Sequence, residues 1–203
     1  MIFAELEPIL LACDDASSRV LTNGSRFIRN LPERGPLAYL HYLYGTAGAG
    51  VEERIQQGLG RILPIEVRTF LRHTNGATMF DKSIYIYGFV ETPSRSTRLQ
   101  DQTAVSLLLE NETFKRTSPD RWASGWTKVG ALTGWDTVLS LEAHASGRCA
   151  ILSRDKGAVE HSSFAEMLTR IVERVGVCFE CAGALDSTYG ELEAALASLL
   201  RVQ

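Results

Sequence analysis

The segment LPIEVRTFLRHTNG, residues 63–76, constrains the fold more than any other part of the sequence. Pro64 suits the first position of a helix, where the N–H that proline lacks would have no partner. Asn75-Gly76 can adopt the left-handed conformation that ends a helix. Between them, one buried helical stripe is predicted at Val67, Phe70, Leu71 and Thr74. The segment therefore predicts a short helix with a defined start and stop.

A strand is predicted directly after this helix. In SIYIYGF, residues 83–89, Ile84 and Ile86 point to one side while Tyr85 and Tyr87 point to the other. This period of two is typical of a strand that is buried on one face. The chain is thus expected to pass from helix to strand without a long loop.

Other segments also have helical patterns. Ser163 and Glu166 have the spacing of a capping box at the start of SSFAEMLTRIVERV. At the amino end, Phe3, Leu6 and Leu10 would share one face of an amphipathic helix. Further helices are predicted at 51–60, 101–114 and 187–200.

Closely spaced strands separate the helices in the second half of the chain. They are predicted at 127–132, 136–142, 147–153 and 157–161, with Gly, Asp and Ser in the turns. Short connections favour hairpins and an antiparallel sheet. Helices, then strands, then helices predict an α+β fold: a largely antiparallel sheet flanked by helices, with extra N-terminal and C-terminal helical segments. Residues 15–48 show no firm period and are predicted as a loop with at most one short element.

Composition narrows the class of protein. The chain of 203 residues is long enough for one globular unit, and its net charge of -3 is too mild to indicate nucleic-acid binding. No apolar run reaches the roughly 20 residues of a membrane helix. Glu5 and Glu7 stand where a signal peptide would be positively charged, so a cytoplasmic location is expected. Cys178 and Cys181 have the spacing of half a zinc site, but the sequence offers no second half, and no metal or cofactor is predicted.

Several of these motifs, in this order, resemble a known family. LGRILPIEVRTFLRHTNG (59–76) followed by IYIYGF (84–89) is similar to the N-terminal signature of the SUKH superfamily, the Smi/Knr-like proteins: helix, LG, LP, second helix, NG and hydrophobic strand. WTKVGALTGWDTVLSLE (126–142) resembles that family's strand, turn and strand. GAVEHSSFAEMLTRIV (157–172) resembles its closing strand and helix.

The resemblance divides the chain into three parts of one globular unit. Residues 1–50 would be a helix-and-loop extension, 51–175 the SUKH-like α+β domain, and 176–203 a C-terminal helical extension. Gln56 replaces a common glutamate, and the insert at 92–124 is longer than a minimal member needs. The individual properties of this protein are expected in those departures.

The resemblance implies a function in binding. Many bacterial SUKH proteins are immunity proteins against polymorphic or contact-delivered toxins, often nucleases or deaminases, and fungal members are regulatory scaffolds. The implied function is a non-enzymatic immunity protein that binds a cognate toxin in the cytoplasm, without direct contact to nucleic acid or membrane. A small-molecule enzyme or sensor and a scaffold without a toxin partner remain alternatives.

The sequence contains no recognised motif of catalysis. The glycine-rich segment YGTAGAG at 44–50 has no lysine of the kind a phosphate-binding loop contains, and it is interpreted as the entry to a helix. Cys149 could meet His144 or His161 in space, but a small residue in the middle of a strand is usually buried and inert. No catalytic residue is predicted.

Acidic residues are the candidates for contact with a partner. From Gly176 onward the sequence has four acidic residues and one basic residue, Arg201. The net charge of this segment is 1 - 4 = -3, which equals the net charge of the whole chain. Acids would speed encounter with the basic groove of a nuclease, although a solvated helix face would look the same. Trp122 could be an interface anchor or part of the core. The predicted contact residues are Asp101, Glu110, Glu112, Trp122, Glu180, Asp186, Glu191 and Glu193.

Overall fold

In the part of the chain that the structure describes, nine strands form one antiparallel sheet, and their spatial order is their order along the chain. The structure is a computed structural model and describes residues 2–91, 98–134, 136–180 and 188–201. The strands are β1 (Arg19–Val20), β2 (Arg26–Asn30), β3 (Tyr39–Leu43), β4 (Ala77–Met79), β5 (Ile84–Ile86), β6 (Trp126–Thr133), β7 (Val138–His144), β8 (Cys149–Ser153) and β9 (Gly157–His161). The predicted antiparallel sheet is confirmed.

Helices lie on both sides of this sheet. They are α1 (Ile2–Leu11), α2 (Val51–Leu59), α3 (Ile65–His73), α4 (Leu107–Thr117), α5 (Pro119–Ala123), α6 (Phe164–Glu180) and α7 (Thr188–Leu199), with a 3-10 turn at Leu99–Asp101. None of the helices in the described ranges is long and apolar enough to cross a membrane. Sheet and helices together confirm the α+β class.

The two faces of the sheet differ in what covers them. Leu141 pairs with Ile151, and both are fully buried in the main core, which includes residues of α1, α3, α6 and α7. One position along, Ser140 pairs with Leu152 on the opposite face. There α4 and α5 contact β6. Among the described residues, therefore, helices cover only part of this second face, called here the open face.

The helix in the opening motif begins and ends slightly differently from the prediction. Pro64 is the N-cap, one residue before the first helical position, and Thr74 follows the helix in an extended conformation. The left-handed residue is Gly76, with φ of 84°, at the entry to β4. Thr74 is buried and its hydroxyl donates to the Tyr44 carbonyl at 2.7 Å, which explains the extended exit.

The loop predicted over residues 15–48 is wrong, because this part of the chain supplies β1, β2 and β3. All five residues of β3 are buried, so its sequence has no alternation to detect. In β2, Phe27 and Ile28 are both buried on opposite faces, and Arg29 has φ of 55°. A strand covered on both sides and a strand with an irregular backbone both lose the period of two.

The helix predicted over 101–114 begins later than expected, at Leu107. Extended backbone precedes it: the Gly88 N–H donates to the Val105 carbonyl at 2.9 Å, and the Leu107 N–H donates to the Gly88 carbonyl at 2.8 Å. Ser106 then caps the helix by accepting from the Leu109 N–H at 3.4 Å. Asp101 consequently lies in the preceding 3-10 turn rather than on α4.

The closing helices lie where the sequence places them. In α6, the Ser163 hydroxyl accepts from the Glu166 N–H at 3.1 Å, as in a capping box. Glu166 reaches back to the Ser162 N–H, at 2.9 Å, rather than to Ser163. The helix continues without interruption past residue 175, the expected end of the SUKH-like segment. The buried leucines of α7 are Leu192, Leu196 and Leu199.

Candidate functional site

The open face carries a row of polar and aromatic side chains across the central strands. Tyr42 on β3 pairs with Thr78 on β4, and Thr78 pairs with Tyr85 on β5. A cavity of about 570 Å³ opens above these three residues. Its rim is completed by residues of the β2–β3 connection and by the segment before α4, among them Leu37 and Val105.

Hydrogen bonds fix the tyrosines of this first cavity. The Tyr42 hydroxyl donates to the Leu37 carbonyl at 2.8 Å. The Tyr44 hydroxyl lies 3.3 Å from the Thr78 hydroxyl, and burial raises the pKa of Tyr44 to about 12. These side chains are uncharged near neutral pH. The cavity therefore offers neutral hydroxyls and ring surface.

A charged pair between α4 and β6 lines a second cavity on the open face. Lys128 Nζ donates to Glu110 Oε2 at 2.9 Å, and the Tyr87 hydroxyl donates to the same oxygen at 3.3 Å. Burial, together with the Glu110 carboxylate, raises the pKa of Tyr87. Glu110 was predicted to contact a partner, and here its charge is already matched by Lys128 within the chain.

The second cavity, of about 400 Å³, opens between α4 and the strands β7 and β8. Glu142 lines it and has a fully buried side chain. Arg121 Nε donates to Glu142 Oε2 at 2.6 Å, while Oε1 has no hydrogen-bond partner among the described residues. The Ser140 hydroxyl is close enough to lower the pKa of Glu142, yet it completes no hydrogen bond within the described part of the chain.

Burial is the dominant influence on Glu142. It raises the pKa of this carboxyl above its ordinary value, and Arg121 opposes the rise. Arg121 is itself held over the ring of the buried Trp126, with 4.3 Å between its guanidinium carbon and the ring centroid. Phe114 and Ala150 pack against Trp126. The short helix α5 thus brings a cation to the inner side of a cavity on the sheet.

Trp122, the predicted anchor, is half-buried between two cations. The Arg61 guanidinium carbon lies 3.5 Å from its ring centroid, and Lys115 Nζ lies 4.6 Å from it on the α4 side. Arg61 also donates to the carbonyls of Trp122 at 2.9 Å and Trp126 at 3.0 Å. Trp122 therefore joins the segment that follows α2 to α4 and α5 and stays partly exposed, so both of its predicted roles remain compatible with its position.

The predicted acids do not form one patch. Glu112 is exposed on α4, on the side of the open face, whereas Glu191 is exposed on α7, which packs on α6. Glu193 accepts from the Asp136 N–H at 3.0 Å at the β6–β7 turn. Asp101 is half-buried in its 3-10 turn.

The two remaining predicted acids cannot be placed in a site. Glu180 is the last residue of α6, and its side chain lies outside the described residues. Asp186 lies in the range 181–187, which is also outside them. Both acids remain predictions from the sequence.

Cys149 is confirmed as a buried residue, but it is the first residue of β8 rather than one in the middle of a strand. It pairs with His161 across β8 and β9, but its thiol donates to the Gly147 carbonyl at 3.7 Å. Burial raises the pKa of this thiol to about 12. The thiol is therefore protonated near neutral pH, and a protonated thiol is a poor nucleophile.

Sequence reasoning missed Glu142, Arg121 and Lys128. Glu142 and Ser140 are two residues apart and therefore lie on the same side of the strand. Because both are polar, the sequence predicts that this side is exposed to solvent. The burial of Glu142 comes from α4 and α5 crossing that side, a tertiary feature with no local signal. The only available hint was a glutamate at the end of a strand close to three tryptophans.

Comparison with known proteins leaves the family open. The chain matches no protein-family model and no curated protein sequence. Functional inference therefore depends on the geometry of the open face and on the motif resemblance.

Proposed function

We propose that the protein is a non-enzymatic immunity protein that binds and neutralises a cognate bacterial toxin in the cytoplasm, through the open face of its sheet. The toxin would belong to a polymorphic or contact-dependent system, with a nuclease or deaminase domain as its active part. The observation that carries this proposal is an antiparallel sheet with one face only partly covered, and with two cavities opening on that face.

Apolar side chains are exposed around these cavities. Val138 lines the second cavity and is 67% exposed, and Leu37 lines the first and is 38% exposed. Leu109 on α4 is 59% exposed. Exposed apolar groups beside polar ones are typical of a protein interface, where the apolar groups form the centre and the polar groups the rim. A partner that covered this face would bury them together.

The charged residues on this face would determine the orientation of the bound partner more than the affinity for it. Glu110 and Lys128 neutralise each other, as do Glu142 and Arg121. Glu112 on α4 is exposed, as contact with a partner requires. Exposed acids would raise the rate of encounter with a basic toxin groove and favour one register.

The motif resemblance supports the same role. The helix-LP-helix-NG-strand order quoted for the SUKH superfamily corresponds here to α2, α3, β4 and β5 in sequence. The segment before α4, which lies in the insert at 92–124, lines the first cavity through Gln102 and Thr103. A departure from the family pattern thus lies beside the proposed interface.

Co-expression tests the proposal directly. The chain would be expressed with the toxin domain encoded next to it, and survival of the host cell scored. We expect protection by the native chain and by Val20→Arg, which alters an exposed valine on β1, and loss of protection by Val138→Arg. Killing that continues when the native chain is abundant and folded would contradict the proposal.

One observation favours a second candidate, a small-molecule-binding protein. A buried carboxyl with a raised pKa in a cavity is what that alternative predicts, and Glu142 fits the description. Thermal-shift screening against metabolites would distinguish the two. Stabilisation by a metabolite, without toxin protection, would favour the second candidate.

A further inference from the structure

We propose that the cavity at Glu142 is a subsite for an uncharged hydrogen-bond donor carried on an aromatic ring, and that its occupant is a tyrosine side chain of the protein partner. This inference rests on the proposed function, because the partner supplies the tyrosine. It adds which part of the open face holds the anchor and which chemistry recognises it.

The first argument is an acceptor that lacks a donor. Glu142 is fully buried, and only Oε2 is bonded, to Arg121. Within the described residues Oε1 has no partner, and neither have the Ser140 hydroxyl beside it and Nη2 of Arg121, so a hydroxyl group that both donates and accepts would suit the site. Buried polar atoms are nearly always paired in folded proteins, since leaving one unpaired is costly. A donor that enters the cavity would complete the set.

The second argument is the apolar wall of the same cavity. Phe114, Leu152 and Val138 line it together with the aliphatic part of the threonines of α4. Its volume of about 400 Å³ lies in the range of pockets that hold small organic groups. A ring would contact these side chains while its polar end reached Glu142. Tyrosine combines ring and donor, and it is enriched among interface anchors for that reason.

The third argument is charge, which excludes the two obvious ionic occupants. Arg121 contacts Glu142, and Arg154 and the paired Lys128 and Glu110 line the cavity. An arginine or lysine side chain would meet these cations at short range. A carboxylate would meet Glu142 at the inner end. A phenol avoids both repulsions, and it donates one hydrogen bond.

Isolated amino-acid amides test this chemistry without a toxin. Isotope-labelled protein would be titrated with N-acetyl-tyrosinamide and with N-acetyl-phenylalaninamide, and amide chemical shifts followed by NMR. We expect shifts concentrated at the residues that line the cavity, with the phenylalanine compound roughly tenfold weaker because it leaves Oε1 unpaired. Equal affinity of the two compounds, or shifts only elsewhere, would overturn the proposal.

Two valine variants provide the controls, and a third variant tests Glu142 itself. Val138→Arg places a long cation at the mouth of the cavity and should abolish the shifts, whereas Val20→Arg, on β1, should leave them unchanged. Glu142→Gln should reduce the preference for the tyrosine compound. If Glu142→Gln fails to fold, the pair of ring compounds and the pair of valine variants still decide the question.

The outcomes separate this inference from the proposed function. Loss of toxin protection with an intact tyrosine preference would reject the immunity role and retain the site. Toxin protection without any preference for the tyrosine compound would retain the immunity role and reject the tyrosine site.

Discussion

Asn75 and Phe89 are joined by two hydrogen bonds that together imitate the pairing of two strands. Asn75 Nδ2 donates to the Phe89 carbonyl at 2.7 Å, and the Phe89 N–H donates to Asn75 Oδ1 at 2.7 Å. The side chain at the end of the opening motif thus holds the backbone that follows β5. This explains why asparagine, rather than any turn residue, precedes Gly76.

Removing this side chain should destabilise the protein. Asn75→Ala leaves the N–H and the carbonyl of Phe89, both in a partly buried setting, without their partner. We expect a loss of about 2 kcal/mol in the free energy of unfolding, measured by urea denaturation. Gln56→Ala, at an exposed position on α2, is the control and should cost less than about 0.5 kcal/mol.

Gly76 is required for both its conformation and its lack of a side chain. Its φ is 84°, and a Cβ there would lie 2.7 Å from the Ile86 carbonyl oxygen and 2.9 Å from the Gly88 nitrogen. Gly60 has φ of 69° with nothing within 4 Å of such a Cβ. We expect Gly60→Ala to cost about 1 kcal/mol for the left-handed conformation alone, and Gly76→Ala about 2 kcal/mol more. If calorimetry gave the same loss of stability for Gly60→Ala and Gly76→Ala, the backbone around Gly76 would be free to move away from the added Cβ.

The Arg121–Glu142 pair should make stability depend on pH in a specific direction. Because burial raises the folded pKa of Glu142 above its ordinary 4.5, the folded state holds this proton more tightly, so stability falls as pH rises through that window. Arg121→Ala removes the opposing cation and should cost about 3 kcal/mol at pH 8, and less at pH 5.

Urea denaturation at the two pH values checks this expectation. The double variant Arg121→Ala, Glu142→Gln has no carboxylate to titrate and should lose the extra pH dependence. An Arg121→Ala defect of the same size at pH 5 and pH 8 would contradict the assigned role of Glu142.

His41 should contribute a pH dependence of the opposite sign. Burial lowers its pKa from 6.5 to about 3, and the Phe80 N–H donates to its Nδ1 at 3.3 Å. The unfolded chain therefore takes up the proton first, and stability is lost as pH falls from 6.5 toward 3. One proton corresponds to about 1.4 kcal/mol per pH unit.

His41→Asn keeps an acceptor for Phe80 and should flatten this slope between pH 6 and pH 4. Gln56→Ala, which alters an exposed residue without a titrating side chain on α2, is the control and should leave the slope unchanged. An unchanged slope in His41→Asn would indicate that His41 becomes accessible to protons before the protein unfolds.

Charge reversal should locate the partner on one side of the sheet. Glu112→Lys on α4 should slow association with a basic toxin domain roughly tenfold at low salt and flatten the salt dependence, because steering acts at long range. Glu191→Lys on α7 should have little effect. Slowing by Glu191→Lys alone, in stopped-flow kinetics, would move the interface to α7 and would support the C-terminal acids instead.

Local patterns were sufficient for the parts of the fold that are covered on one side. β9 is found at the predicted residues, 157–161, and α7 within one residue of its predicted limits, because their buried residues recur with a clear period. β3 could not be recognised, since burial on both faces removes that period. The helix at 101–114 was misplaced because Ser106, its cap, lies inside a long apolar run.

The site was harder to predict than the fold. The contact residues predicted from charge include Glu110 and Glu193. Glu110 accepts a hydrogen bond from Lys128 within the chain, and Glu193 binds the β6–β7 turn. Glu142 was overlooked because its environment is created by α4 and α5, which end at Thr117 and Ala123, well before it in the chain. A pattern confined to neighbouring residues holds no information about such packing.

The sequential order of the nine strands has a consequence for synthesis of the protein on the ribosome. Each strand pairs only with its neighbours along the chain, so the sheet can grow one hairpin at a time as the chain emerges. Its apolar side, however, is covered in large part by α6 and α7, which are translated after all of these strands. A nascent chain that stalls before Phe164 would present a nearly complete sheet with bare aliphatic side chains, and such a chain should be a substrate for chaperones.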